Sequence, residues 1–216
     1  MNKILLAVLG LPKSIYINLK YFEFKDAIKL PIIVSYRTKF LKLKGSIKIK
    51  GKIKTGMIRI GICGSGTASY IPTILELYNG EIIFDEHAYI GGGCQICNSG
   101  KMEIGNNVSF TGECHIICKK HIAIGSNSMI SWNTQIMDTD SHFIYEDNNI
   151  INADDEIIIG NKVWISSNTN ILKGTVIGNN NIVASGSIIT NKFYENNCIL
   201  TGMPIKVLKR NIKWEI

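Results

Sequence analysis

Aliphatic side chains recur at every sixth position across much of this chain, and few folds can use that spacing. Ile159, Ile165, Ile171, Ile177, Val183 and Ile189 form one unbroken run. Upstream, three triplets keep the same step: Phe84, Ile90 and Ile96; Ile104, Phe110 and Ile116; Ile124, Ile130 and Ile136. Each triplet starts twenty residues after the one before, which is the mark of a solenoid whose coils each have three faces. A helix needs apolar residues three and four apart, so a step of six excludes it. Short strands joined by a bend at each sixth residue satisfy it, because side chains then alternate inward and outward. A coil starting at Ile124 should hand over at position 142, yet the next face begins at Ile159. The seventeen extra residues start at His142, directly after Asp138-Thr139-Asp140-Ser141.

Positions four after each ladder residue also point inward, and smaller residues occupy them. Ala88, Val108 and Ser128 take this slot, as do Cys94, Cys114, Thr134, Val163, Thr169, Thr175 and Ser187. One large and one small inward side chain per face suits a narrow triangular core. The residue after a ladder position is often Gly (Gly61, Gly91, Gly105, Gly125, Gly160, Gly178), and Asn is abundant nearby. Both tolerate positive φ at a bend.

This pattern divides the chain. Residues 1–45 carry no ladder and read as a cap of short helical or irregular elements, broken at Pro12 and Pro31. A β-helix over 46–190 opens with an Ile–Lys alternation, Ile47, Ile49 and Ile53 against Lys48, Lys50, Lys52 and Lys54, which predicts a strand with one wet, basic face. The excursion occupies 142–158. A tail over 191–216, with a Gly202-Met203-Pro204 turn, closes the far end. The N-terminal apolar run Ile4 to Leu11 is too short to span a bilayer and is followed by no small-residue cleavage site. It reads as a cap packed on the first coil. Peripheral membrane contact is the alternative use, since Lys13, Lys20 and Lys25 accompany Ile15, Ile17, Leu19, Phe22 and Phe24.

Six cysteines and a net charge of +7 are the remaining compositional signals. Cys94 and Cys114 fall twenty apart in the small inward slot, where a thiol packs as a small hydrophobe. The cysteines therefore read as reduced and structural, which implies a cytoplasmic location. The positive charge could meet nucleic acid, lipid headgroups or a phosphorylated cofactor. Nucleic acid is disfavoured as a partner: aromatic residues are only 8% of the chain, and no basic stretch interleaves them for stacking. His87, His115 and His121 fall at three different offsets of the twenty-residue frame, which argues against a metal cluster within one subunit.

With ladder, histidine loop and tail together, the chain resembles the hexapeptide-repeat acyltransferases, most closely the maltose, galactoside and polysaccharide O-acetyltransferase group. The stretch that carries the resemblance runs from Val163-Trp164-Ile165 through Ile177-Gly178 and Ala184-Ser185-Gly186-Ser187 to Gly202-Met203-Pro204 and Lys206. The resemblance implies an all-β, left-handed parallel β-helix with N- and C-terminal caps, a homotrimer with active sites between neighbouring subunits, acetyl-coenzyme A as donor and the loop histidine as catalytic base. Two positions depart from the pattern. Ser166-Ser167 replaces a common glycine–alanine pair, and Asn181 fills an inward slot that is usually small and apolar.

Acetyl transfer to a sugar hydroxyl needs a base that removes the proton as attack occurs, and an imidazole titrates in the right range. His142 is the candidate base. Asp140 or Asp138 would hydrogen-bond the other ring nitrogen, since 138, 140 and 142 share one side of an extended segment; turn capping is the competing role for both aspartates. Trp164 follows inward Val163, so alternation turns it outward to wall the acetyl and pantetheine channel or to pack on a neighbouring subunit. Amides near Ser166, Ser185 and Thr190 are candidate partners for the pantetheine arm, and Lys206, Lys209 and Arg210 for the coenzyme A phosphates. No second nucleophile is evident, so direct transfer is expected, with no metal required. The leading function is O-acetylation of a carbohydrate in surface or capsular polysaccharide synthesis. N-acetylation of a nucleotide-linked amino sugar, a β-helical zinc hydratase and a non-catalytic solenoid scaffold are the alternatives.

Overall fold

The six-residue ladder folds as three parallel sheets wound around one axis. In this computed structural model, residues 3–62 and 70–215 are described. The first sheet runs from Ile32–Val34 through Ile58–Ile60, Ala88–Ile90, Val108–Phe110, Met129–Ile130, Trp164–Ile165 and Ile182–Val183 to Ile199–Thr201. The second runs from Lys39–Leu43 to Ile188–Ile189, and the third from Ser46–Ile49 to Lys192–Phe193. The chain visits the sheets in strict rotation, and the architecture is a left-handed parallel β-helix. Register follows the ladder residue for residue: Ile90 pairs with Phe110, Phe110 with Ile130, Ile130 with Ile165 and Ile165 with Val183. Inward residues of successive coils therefore stack, and the whole ladder is buried in one apolar column. Each such side chain contributes roughly 1.5–3 kcal/mol relative to exposure.

The small inward slots are buried as the pattern requires, Ala88, Val108, Ser128, Cys94, Cys114, Thr134, Val163 and Thr169 among them. Asn181 is also fully buried, and its amide is satisfied: Nδ2 donates to Gly178 O (3.0 Å) and Glu195 O (2.8 Å), while Oδ1 accepts from Cys198 N (2.7 Å). That complete set offsets the desolvation of a polar group in an apolar slot. Cys94, Cys97, Cys114, Cys118 and Cys198 are free thiols; Cys63 lies outside the described residues.

The bends differ from the sequence expectation in who does what. Positive φ falls on two stacked corners, Asn107, Asn127, Lys162, Asn180 and Asn197 on one, and Gly93, Glu113, Asn133, Asn168 and Gly186 on the other. Of the glycines that follow ladder residues, Gly61 alone has positive φ. The others are required by close approach. A Cβ on Gly105 would lie 2.5 Å from Ser126 N, and one on Gly125 2.5 Å from Asn161 N, both main-chain atoms of the next coil.

At the N-terminal end the β-helix starts earlier than the sequence division at 46. Helices Lys3–Leu9, Leu11–Tyr21 and Phe24–Ala27 form the cap, but Ile32–Val34 and Lys39–Leu43 already belong to the sheets. The reason is local: a bulge between Phe40 and Lys42 and extra corner residues break the six-residue step without breaking the coil. The Leu11–Tyr21 helix blocks the open edge of Ile32–Val34 with side chains. Asn18 donates to Ile32 O (2.7 Å) and accepts from Ile32 N (3.0 Å), and Ser14 Oγ accepts from Val34 N (3.0 Å). An unpaired edge would otherwise template another strand. At the far end Lys206–Lys209 pairs antiparallel with Ile199–Thr201, closing the first sheet.

Candidate functional site

One corner of the fifth coil carries the long excursion that holds the candidate base, His142. Between Gln135–Met137 and Ile157–Ile159 the chain inserts residues 138–156, where one coil earlier only Lys119 and Lys120 turn the same corner. Register pairs Ile117 with Met137 and Ile122 with Ile157, so this coil is fifteen residues longer than the one before it and seventeen longer than an eighteen-residue coil; the excursion departs at Asp138 and returns by Ile157. Its tip is a two-stranded hairpin, Tyr145–Glu146 on Asn149–Ile150, turned at Asp147 and Asn148, both with positive φ. Paired positive φ is the twist a two-residue hairpin turn needs.

Asp138 is fully buried at the departure point, and its two carboxylate oxygens accept from Lys119 N (2.7 Å) and Lys120 N (2.8 Å). It fastens the preceding corner and does not reach the histidine, which corrects its assignment as a partner of the base. Its charge lies beside Cys118, whose thiol is pushed up by burial first and by this carboxylate second. Asp140 is exposed and braces the loop instead. Lys173 Nζ donates to its Oδ2 (2.6 Å) and to Asn152 O (2.6 Å), and Asn152 Nδ2 donates to Asp140 Oδ2 (2.9 Å) and to His142 O (2.8 Å). The Lys173 hydrogen bond, then that of Asn152, holds the Asp140 carboxyl below the usual range. His142 is thereby fixed through its backbone, while its imidazole is exposed and hydrogen-bonds to nothing among the described residues. Ring and aspartate are neighbours in the same braced loop, with no hydrogen bond between them in a single chain.

Lys173 and Asn152 were not singled out from sequence. Lys173 precedes Gly174 at a corner one coil on, 33 residues from Asp140, and no local pattern announces that pairing. The hollow between the foot of the excursion and the following coils is lined by Asn152, Asp155, Lys173, Thr190 and Lys192, with a volume of about 420 Å³. Thr190, expected to meet the donor, stands in this hollow. Ser166 and Ser185 lie at the preceding corner, between the first and second sheets. The Ser166 amide is engaged, donating to Val183 O (3.0 Å), and Ser185 Oγ donates to Ser167 O (2.6 Å). One chain therefore does not gather the expected donor residues around His142.

Trp164 faces outward but is half-buried. Its Nε1 donates to Ser131 Oγ (3.0 Å), and its ring lies 6.1 Å from that of Trp214, whose Nε1 reaches Lys162 O (3.0 Å). The C-terminal segment thus folds back over the tryptophan, a contact that spans 52 residues and has no signal in the ladder. Lys206 and Lys209 are exposed on the closing strand. Arg210 is paired with Glu195 through Nε (2.7 Å), so it secures the tail and is not a free phosphate ligand. His115 and His121 stand on different sheets, and no group of three His, Cys, Asp or Glu side chains gathers as a metal site among the described residues.

A left-handed β-helix with one long excursion and a closing strand after it is the fold of the hexapeptide-repeat class. The bacterial transferase hexapeptide family model, of six repeats, matches residues 156–191, and the chain belongs to the hexapeptide-repeat acyltransferases, in the group of sugar and polysaccharide O-acetyltransferases. Among its relatives, the polysialic acid O-acetyltransferase of Neisseria meningitidis is 30% identical over 185 residues, covering 80% of this chain and 86% of that protein. A 24.8 kDa protein of the cps region of Klebsiella pneumoniae is also 30% identical, over 196 residues, 89% of this chain and 85% of that one. The crystal structure of the polySia-specific acetyltransferase NeuO superimposes with a TM-score of 0.65 at 22% identity, covering 86% of this chain and 79% of that chain, and attests the shared fold.

Proposed function

We propose that this protein transfers acetyl from acetyl-coenzyme A to a hydroxyl of a carbohydrate in the synthesis of a surface or capsular polysaccharide, as a cytoplasmic homotrimer. The observation that carries the reading is the exposed imidazole of His142, held in place through Asn152, Asp140 and Lys173 with its ring left free. In the reaction the acceptor oxygen attacks the thioester carbonyl while His142 takes the hydroxyl proton. The tetrahedral intermediate collapses, the C–S bond breaks, and the coenzyme A sulfur leaves as the imidazolium returns the proton. Asp140, charged and joined to the His142 backbone through Asn152, would stabilise the imidazolium through space. No acyl-enzyme is invoked, because among the described residues no hydroxyl or thiol hydrogen-bonds to the His142 ring.

Assembly supplies what one chain lacks. Phe143, Ile144, Tyr145, Ile150 and Ile151 are all exposed on the excursion, an apolar patch of the kind a neighbouring subunit covers. A second copy would bring its Trp164 and Ser185 corner against the His142 corner, forming the thioester channel between subunits. Lys206 and Lys209 would then meet the donor phosphates by charge-assisted hydrogen bonds. The test is transfer from labelled acetyl-coenzyme A to a panel of glycans and nucleotide sugars, followed by mild base. Label released by base is an ester and supports the reading; base-stable label is an amide and points to amino-sugar N-acetylation. His142→Ala is expected to abolish transfer while leaving the fold and donor binding intact. A variant that transfers normally would remove the histidine from the mechanism.

A further inference from the structure

The N-terminal end of the β-helix is both apolar and strongly basic, and neither property is used by the site. The Lys3–Leu9 helix buries none of its described apolar side chains: Val8 is 60% exposed and Leu9 51%. A helix with apolar residues all round ordinarily lies against something. The outer face of the next helix continues the surface with Leu19, 52% exposed. Tyr16 lies 6.2 Å from Phe40 across the join to Lys39–Leu43, so the helical surface runs onto a strand that presents Lys39, Leu41 and Lys42 outward.

Charge is segregated along the same axis. Residues 1–54 contain thirteen Lys and Arg against two Asp and Glu, whereas the remaining 162 residues contain eleven against fifteen. The excess sits on the cap and first coil, and Lys20, Lys39 and Lys44 pair with no carboxylate among the described residues. Both terms of interfacial binding are therefore together: aliphatic side chains to enter the headgroup boundary, and lysines to meet anionic lipid. A second copy is a poor occupant, because it would set this positive charge against its own equal. Nucleic acid fits the charge but not the exposed aliphatic side chains Val8, Leu9 and Leu19, which pair with neither bases nor phosphates. Among the described residues no helix is long and apolar enough to cross a membrane; the contact inferred is with one leaflet.

We propose that the N-terminal cap docks on the surface of an anionic phospholipid bilayer, holding the β-helix end-on with the excursion raised away from the membrane. The inference is independent of the acetyl-transfer reading and is tested without it. Full-length protein is floated with vesicles of phosphatidylcholine alone and of phosphatidylcholine with phosphatidylglycerol. Binding to the mixed vesicles, weak binding to the neutral ones and a loss of at least fivefold in high salt are expected. The variants Val8→Gln with Leu9→Gln, and Lys20→Gln with Lys39→Gln and Lys44→Gln, should each lower partitioning tenfold or more with unchanged circular dichroism. Absence of binding to anionic vesicles, or equal binding to both kinds, overturns the proposal. So does a change of oligomeric state in the Val8, Leu9 variant without a change in vesicle binding, which would make the face a contact between copies.

Discussion

Replacing Asp138 by Ala separates stability from catalysis at this site. The carboxylate is fully buried and accepts from two consecutive main-chain amides, Lys119 N at 2.7 Å and Lys120 N at 2.8 Å. Alanine leaves both donors without their carboxylate at a partly exposed corner. At roughly 1–3 kcal/mol for each unsatisfied group, and toward the low end because the amides are only partly buried, the loss is about 2–4 kcal/mol. For a chain of this length that corresponds to a fall in Tm of roughly 4–16 °C. Asn at this position keeps one acceptor oxygen and should lose about half as much. The assay pairs thermal unfolding at neutral pH with acetyl transfer at a temperature where both proteins are folded. Asp138→Ala should unfold earlier yet transfer within about threefold of the parent rate, because its carboxylate touches corner amides and not His142. A hundredfold loss of rate with unchanged Tm would refute the reasoning and restore Asp138 as a partner of the base.

Three further outcomes follow from the geometry. The Lys173–Asp140 pair is partly exposed, so Lys173→Met should cost only a few tenths to about 1 kcal/mol of stability while loosening the excursion, read as faster amide hydrogen exchange across 142–152. Because the Asp140 carboxyl is held below its usual range, the brace is complete above the ordinary carboxylate pKa of about 4 and is lost as pH falls through the lower folded value. Parent protein should show an acid rise in loop exchange, and the Lys173→Met variant should lack that step. In the core, Ile165 is fully buried and stacked between Ile130 and Val183, so Ile165→Ala should destabilise by about 2–5 kcal/mol in thermal or denaturant unfolding. A loss below 1 kcal/mol would mean that the column relaxes around the missing atoms.

Sequence alone determined the coil. A six-residue period forces alternation and a bend at fixed intervals, so the ladder predicted sheet membership and register from Phe84 to Ile189, and it located the excursion to within a few residues. Those features are short-range and repeat, which is why they are legible. The first coil was not, since the Phe40–Lys42 bulge and irregular corners hide Ile32–Val34 and Lys39–Leu43 from any fixed period. The glycines were recognised but for the wrong reason. Whether a glycine serves positive φ or the close passage of another coil depends on where that coil lies.

Only the tertiary structure decided the site's wiring. Asp138 against Lys119 and Lys120, Asp140 against Lys173, and Trp164 under Trp214 join residues that are 18 to 50 positions apart. A hydrogen bond depends on distance in space, and stacking brings together coils that the chain reaches only after a full turn. The sequence could therefore say that two carboxylates precede His142, but not that one is engaged by a neighbouring corner and the other by a lysine one coil on.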